Sequence, residues 1–113
     1  MKINLNKEPS FTQNGLTGFT YPLKHSGAEV SYIDCFYEHD NYCTYQKPFI
    51  YYIIEGKGRY KIGNDIINVE AGDLIEIPAN TDFTYKGKMK ILLIIQDKFD
   101  CALSADTRKN DLD

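Results

Sequence analysis

The sequence has no tryptophan, only two histidines and only three cysteines among its 113 residues. Cys35, Cys43 and Cys101 are an odd number and contain no CxxC pair, which argues against both a disulfide framework and a thiolate zinc site. We therefore expect three free thiols.

Basic charge and long apolar runs are also missing. The formal net charge is −3 and the basic residues are scattered, so the chain lacks the basic stripe that binding to a phosphate backbone needs. No segment reaches the length that crosses a bilayer, and the N-terminus is polar where a signal peptide is apolar. We expect a cytoplasmic protein that binds neither nucleic acid nor membrane.

Aromatic residues, in contrast, are abundant. Nine Tyr and six Phe accompany Ile-rich clusters, and these residue types suit the half-buried surface of a sheet. No stretch shows apolar recurrence at helical spacing. We predict one all-β domain with strands at 29–37, 49–54, 59–62, 66–69, 74–77, 83–85 and 90–95.

Glycine-containing turns separate these strands, at 56–58, 63–65 and 71–73. Short strands at intervals of eight to twelve residues predict a sandwich or a closed barrel. We assign 1–18 to an irregular arm with room for one strand and 19–103 to the barrel. The last segment, 104–113, is nearly all polar, and we expect it to be disordered.

The turn residues carry a recognisable spacing. Fifteen residues separate Gly56 from Gly72, and Pro78 follows Gly72 after five more. With YYIIEGKG and AGDLIEIPAN around them, these positions resemble the two motifs of the cupin superfamily, in its small single-domain bacterial form. The resemblance covers residues 43–87 and implies a jelly-roll β-barrel, also called a double-stranded β-helix.

The metal ligands of that family are replaced. Its glutamate position holds Phe49, its paired histidines fall on Cys43 and Tyr45, and its last histidine is Phe83. With the longer spacer of the first motif, the pair falls on 42 and 44 instead. A divalent metal needs three or more converging donor atoms. We therefore expect no metal and no cofactor.

These replacements predict an aromatic pocket for a small organic ligand, including a sugar. Side chains two apart share a strand face, which adds neighbours to the family positions, and Glu76 interrupts an apolar strand where a carboxylate could accept hydrogen bonds. The predicted ligand-binding residues are Cys43, Tyr45, Phe49, Tyr51, Glu76, Phe83 and Tyr85. The same aromatic residues could instead fill the barrel as ordinary core.

The sequence is compatible with three functions. The first is a metal-independent protein that binds a small ligand. The second is a metal-free enzyme resembling sugar epimerases and ketoisomerases, with His39 as base and Tyr45 or Tyr51 as acid; otherwise His39 is a turn residue at the barrel rim and His25 a solvated one. The third is a metal-dependent dioxygenase or isomerase, which the substitutions at Phe49 and Phe83 disfavour.

Segment 49–54 is apolar at every position. One face can pack inside the barrel and the other against a second copy, so we expect a homodimer.

Overall fold

The structure is a computed structural model that describes all 113 residues. It contains nine strands and one 3-10 turn, Cys101–Leu103. The strands are β1 Phe11–Thr12, β2 Leu16–Thr20, β3 Glu29–Cys35, β4 Asn41–Tyr45, β5 Phe49–Ile62, β6 Asp65–Glu70, β7 Leu74–Ile77, β8 Phe83–Ile95 and β9 Ser104–Lys109. No helix has the length and apolar character to cross a membrane.

All nine strands belong to one strongly curled antiparallel sheet. Strand β8 is its centre, because β8 pairs with β3, β4 and β5. Strand β5 carries β6 and β7 on its other edge, β3 leads outward to β2 and β1, and β4 leads to β9. The prediction of an all-β domain is confirmed.

The two longest strands, β5 and β8, run together for most of their length. The hairpin predicted at 56–58 is wrong, because β5 continues through both glycines. Gly56 has φ +88°, and a Cβ there would lie 2.2 Å from the carbonyl oxygen of Lys88. Gly87 on β8 has φ +138° and faces the Cα of Gly58 closely. These glycines therefore allow the backbones of β5 and β8 to approach closely. The predicted turns at 63–65 and 71–73 are confirmed.

The concave face of the sheet encloses the core. Along β8, Met89, Ile91, Leu93 and Ile95 are buried in alternation with more exposed residues, as expected for a strand with one covered face. Rings from β5 and β8 extend the core towards β4; they are Phe49, Tyr51, Tyr60, Phe83 and Tyr85. This face holds the cavity described below.

Both ends of the chain are more ordered than the sequence predicts. Strand β1 and the first residues of β2 lie within the arm at 1–18. The prediction of disorder at 104–113 is wrong, because this segment forms β9, pairs with β4 and buries Leu112. The backbone hydrogen bonds of β9 need only an antiparallel partner. Its side chains are mainly exposed, so the strand shows no apolar alternation in the sequence.

Candidate functional site

A cavity of about 530 Å³ opens on the concave face of the sheet. This volume falls within the range of small-molecule sites. Three of its lining residues, Phe49, Tyr51 and Tyr85, contribute aromatic rings, and we call them the aromatic wall. Three others, Gln13, His39 and Asp106, contribute polar groups, and we call them the polar wall. The predicted alternative of a completely filled barrel does not hold.

His39 belongs to the turn between β3 and β4, and its ring is held in one tautomer. Its Nδ1 lies 2.6 Å from the carbonyl oxygen of Asn41, which can only accept a hydrogen bond. Nδ1 therefore carries the proton and Nε2 the lone pair of the neutral ring. The hydroxyl of buried Thr84 also donates to the Asn41 oxygen, over 3.0 Å.

Gln13 completes this arrangement from the loop between β1 and β2. Its Oε1 accepts a hydrogen bond from the backbone N–H of Asp40 over 2.9 Å. This contact leaves its Nε2 to donate to Nε2 of His39, over 3.3 Å. The Nε2 lone pair of His39 is therefore the acceptor in this contact, and both side chains line the cavity.

The surroundings keep His39 neutral. Burial lowers the pKa of the imidazole below its usual value, and this effect outweighs the Asn41 carbonyl and the carboxylates of Asp106 and Asp40, which act in the opposite direction. Removing a cation from water is costly, so the neutral form is favoured. A neutral imidazole can act as a general base through its Nε2 lone pair once a ligand displaces the contact from Gln13.

The aromatic wall supplies two hydroxyls. The rings of Tyr51 and Tyr85 have centroids 5.6 Å apart, and the ring of His39 lies 5.3 Å from that of Tyr85. Neither hydroxyl bonds to a protein atom. The hydroxyl of Tyr60 is the only side-chain polar atom that is fully buried without a hydrogen-bond partner, so those of Tyr51 and Tyr85 are not fully buried. The hydroxyls of Tyr51 and Tyr85 therefore face the cavity.

Burial raises the pKa of Tyr51 and Tyr85 well above the usual tyrosine value, and neighbouring tyrosine and cysteine side chains act in the same direction. Both phenols therefore stay protonated at neutral pH and can donate hydrogen bonds to a ligand. Tyr60 lies behind them, with its ring stacked 4.8 Å from Tyr85. It does not line the cavity.

The metal-ligand positions of the cupin motifs do not fit a metal ion. Nowhere do three or more His, Cys, Asp or Glu side chains cluster as such a site requires. Cys43 is the only ready donor among the four positions. Burial, with smaller effects from Asp106 and Asp82, raises the pKa of its thiol to about 12, so the thiolate that binds metals is disfavoured.

The structure brings together most of the predicted pocket residues. Cys43, Phe49, Tyr51 and Tyr85 line the cavity with His39. Phe83 packs directly behind the lining, with its ring edge-on to those of Phe49 and Tyr51. Four of the seven predicted ligand-binding residues thus lie in the lining of one cavity.

Two predicted residues lie elsewhere. The ring of Tyr45 stacks between those of Phe49 and Phe99, and its hydroxyl accepts a hydrogen bond from the backbone N–H of Asp100, so it does not line the cavity. Glu76 is exposed on the convex face of β7, because the alternation of that strand directs Ile75 and Ile77 inward. Glu76 therefore cannot contact a ligand in this cavity.

Sequence patterns point to His39 but not to the other two residues of the polar wall, Gln13 and Asp106, nor to Glu29. Gln13 and Asp106 come from segments assigned to an irregular arm and a disordered tail. Glu29 also lines the cavity, and its carboxylate accepts a hydrogen bond from the backbone N–H of Phe99. No local pattern marks these residues, since long-range strand pairing places them.

The carboxylates in the cavity lining have no lysine or arginine beside them in that lining. Glu29 and Asp106 contribute carboxylates, whereas no lysine or arginine lines the cavity. An uncompensated anionic ligand would be repelled there.

No protein-family model matches the chain, and no curated protein matches it in sequence. Solved structures do. The chain is similar to Pac13, described as a unique nucleoside dehydratase, with a TM-score of 0.81 at 21% identity over 95% of this chain and 86% of that one. Solved Streptomyces Pac13 variants with uridine change one histidine to glutamine, or either of two tyrosines to phenylalanine.

Two further structures support the same architecture. A cupin-2 domain from Rhodospirillum rubrum has a TM-score of 0.67 at 16% identity, covering 97% of this chain and 76% of that one. KdgF from Halomonas sp. has a TM-score of 0.70 at 10% identity, covering 85% and 91%. The chain has a cupin fold, as the turn spacing predicted.

Proposed function

From the cupin fold and the cavity, we propose that this protein binds an uncharged nucleoside or a nucleoside-like ligand and acts on it by metal-independent proton transfer. His39 is the base, and Tyr51 and Tyr85 are the hydrogen-bond donors. The observation that carries the proposal is the meeting of these three side chains in one cavity. It refines the sequence-based hypothesis, which gave Tyr45 or Tyr51 as the acid, by omitting Tyr45, keeping Tyr51 and adding Tyr85.

The Pac13 variants support this choice of residues. The two substituted tyrosines of Pac13 are the same number of positions apart as Tyr51 and Tyr85. The substituted histidine precedes the first of them by one position more than His39 precedes Tyr51. One histidine and two tyrosines in this order are thus common to the two chains.

The geometry suits loss of water from a substrate that bears a carbonyl group. The lone pair of His39 Nε2 takes a proton from the carbon beside the carbonyl, and that C–H electron pair forms the new C=C bond. The C–O bond to the neighbouring hydroxyl then breaks, and that hydroxyl leaves as water with a proton from Tyr51 or Tyr85. The step leaves His39 as the imidazolium and the tyrosine as the phenolate, and transfer of the proton from His39 to that phenolate through the released water restores both groups.

The cavity lining favours a neutral ligand. A nucleoside offers a flat base for the aromatic wall and ribose hydroxyls for the carboxylates. A nucleotide would bring its phosphate charge near Glu29 or Asp106 without a cationic partner.

Calorimetric titration with uridine tests the proposal. His39→Gln, Tyr51→Phe and Tyr85→Phe should each weaken uridine binding roughly fivefold to tenfold, since each removes one hydrogen bond worth about 1 kcal/mol. Tyr60→Phe is the matched control, because it removes a buried tyrosine hydroxyl that does not face the cavity. Equal losses in all four variants, or no uridine binding by the unaltered protein, would refute the nucleoside site.

A second assay separates catalysis from binding alone. The protein is incubated with nucleosides that carry a carbonyl beside an ionisable carbon, and mass spectrometry follows the loss of one water. Turnover that disappears in His39→Gln supports the enzyme. Saturable binding without turnover of any such nucleoside supports the binding protein, the first sequence-based hypothesis.

We also propose that the protein forms a homodimer. Tyr52 and Ile54 on β5 and Leu74 on β7 are large apolar residues exposed on the convex face, and Tyr52 pairs in register with Leu74. A second copy that covers this strip would remove apolar surface from water. Light scattering should give twice the mass of 13.0 kDa; a monomeric mass at micromolar concentration would contradict the dimer.

A further inference from the structure

The residue that follows β9 contacts the backbone of two site residues at once. The side-chain Nδ2 of Asn110 donates to the carbonyl oxygen of His39 over 2.8 Å and to that of Tyr85 over 3.1 Å. Its backbone N–H donates to the carbonyl oxygen of Asp40 over 3.0 Å. Asn110 therefore holds the turn that carries His39 and ties it to β8.

The orientation of this amide is fixed. Oδ1 of Asn110 accepts a hydrogen bond from the backbone N–H of Leu112 over 2.9 Å, and a flipped amide would place its oxygen against two carbonyl oxygens. Leu112 is itself only 6% exposed. The C-terminal residues thus hold the asparagine in place while it holds the site.

Neighbouring contacts anchor the same segment to β4. The hydroxyl of Tyr42 donates to the carboxylate of Asp111 over 2.6 Å. The guanidinium of Arg108 lies 3.6 Å from the centre of the Tyr42 ring, a distance at which a cation attracts an aromatic face. These contacts do not touch His39, so they can be varied separately from Asn110.

We propose that Asn110 is a positioning residue that sets the distance between His39 and Tyr85 and holds the His39 ring in its base-competent tautomer. The proposal rests on the function proposed above for its catalytic meaning. The backbone N–H of His39 also donates to the carbonyl oxygen of Tyr85, over 3.0 Å. One carbonyl oxygen of β8 is therefore the common attachment point of His39 and Asn110.

Asparagine suits this position because the site needs two donors and one acceptor on one short side chain. Aspartate could still accept from Leu112, but it has no N–H for either carbonyl. Alanine would leave both carbonyl oxygens without this partner. Either change frees the turn, admits water to the His39 ring and weakens its hold on the Asn41 carbonyl.

Several groups face His39 and bear on its titration. Asp106 approaches from β9, Asp40 is its neighbour in the turn, and both favour the protonated ring. The Tyr85 ring approaches from β8 and the Gln13 amide from the loop after β1. Asn110→Ala leaves all four in the chain, so a change in the titration of His39 reports the loss of positioning.

The chain allows a direct test by NMR, because it has only two histidines and exposed His25 serves as an internal reference. In the unaltered protein, the ring signals of His39 should indicate one neutral tautomer, with the proton on Nδ1. In Asn110→Ala, the His39 pKa should rise towards the ordinary value of about 6.5 and the tautomers should mix. His25 should be unchanged in both proteins.

Thr107→Val is the matched control. It removes the hydroxyl that donates to the Asp82 carboxylate and lies 3.4 Å from the carbonyl oxygen of Tyr42. It keeps the side-chain shape and every Asn110 contact, so the His39 signals should stay as in the unaltered protein. An unchanged His39 titration and tautomer in Asn110→Ala, or the same change in Thr107→Val, would overturn the proposal.

Uridine titration then links positioning to function. If uridine binds the unaltered protein, Asn110→Ala should weaken it roughly tenfold, because a displaced base loses its contact with the ligand. An unweakened Kd in that variant would overturn the positioning of the ligand site. If uridine does not bind the unaltered protein, the proposed function is refuted instead. The NMR comparison of Asn110→Ala with the unaltered protein still decides the role of Asn110.

Discussion

The aromatic wall and the polar wall of the cavity are built in different ways. The aromatic wall stands on β5 and β8, the two longest strands, and its rings are part of the hydrophobic core. The polar wall comes from a short loop, a turn and the edge strand β9, joined by hydrogen bonds. The first wall is therefore part of the packed core, whereas the second depends on contacts between segments that are distant in the sequence.

This difference explains why the cavity persists in a small domain. Behind the aromatic wall, the ring of Phe83 packs edge-on against those of Phe49 and Tyr51. In the polar wall, Gln13 and His39 already have hydrogen-bond partners, so lining the cavity does not leave these two side chains unpaired. A wall of each kind gives a ligand a surface for stacking and a set of directional contacts.

The largest expected effect is on stability, behind the aromatic wall. Phe83 is 1% exposed, and Phe83→Ala should lower the free energy of unfolding by about 3–5 kcal/mol, because a buried ring leaves a cavity. Urea unfolding measures the change. Thr107→Val on β9 should cost less than about 1.5 kcal/mol, and a comparable loss in the two variants would show that the two sides are not distinct.

The next effect concerns ligand charge. Uridine should bind at least roughly tenfold more tightly than uridine monophosphate, because the phosphate would meet carboxylates and no cation. Calorimetry of the two ligands gives the ratio. Asp106→Asn removes one carboxylate of the polar wall and should reduce the ratio of the two dissociation constants. Tighter binding of the monophosphate would show that the phosphate finds a cation outside the lining.

The smallest effect is the pH dependence of stability. Burial lowers the pKa of His39 in the folded protein, so the unfolded chain takes up a proton first as the pH falls. The stability from neutral His39 is fully present above the unfolded value of about 6.5 and decreases as the pH falls towards the lowered folded value.

Unfolding curves between neutral and mildly acidic pH measure this loss. His39→Gln should flatten the profile in that window, whereas substitution of exposed His25 by glutamine should leave it unchanged. The same pH dependence in all three proteins would mean that His39 is not held neutral by folding.

Much of the aromatic wall could be predicted from the sequence. Gly72 and Pro78 fix a turn and the end of β7 whatever the tertiary contacts. The motif spacing identified Cys43 and Phe49, counted from Gly56, and Phe83, counted from Gly72, as interior positions. These signals are local, or depend on a motif of fixed length. They therefore survive without knowledge of which strands pair.

Apart from His39, the polar wall could not be predicted, for a physical reason. Strand β9 is at the edge of the sheet with its side chains largely exposed, so polar residues occupy it at little cost and no alternation marks it. Gln13 and Asn110 reach the site through pairing and hydrogen bonds between distant segments. The sequence around His39 indicates a turn but not its partners.

The most direct test of the account is a titration of the protein with uridine, observed through the ring signals of its two histidines. The account predicts that the His39 signals shift and saturate while those of His25 stay in place, because His39 lines the cavity and His25 is exposed away from it. His39 signals that stay unchanged up to millimolar uridine would contradict a nucleoside site in this cavity.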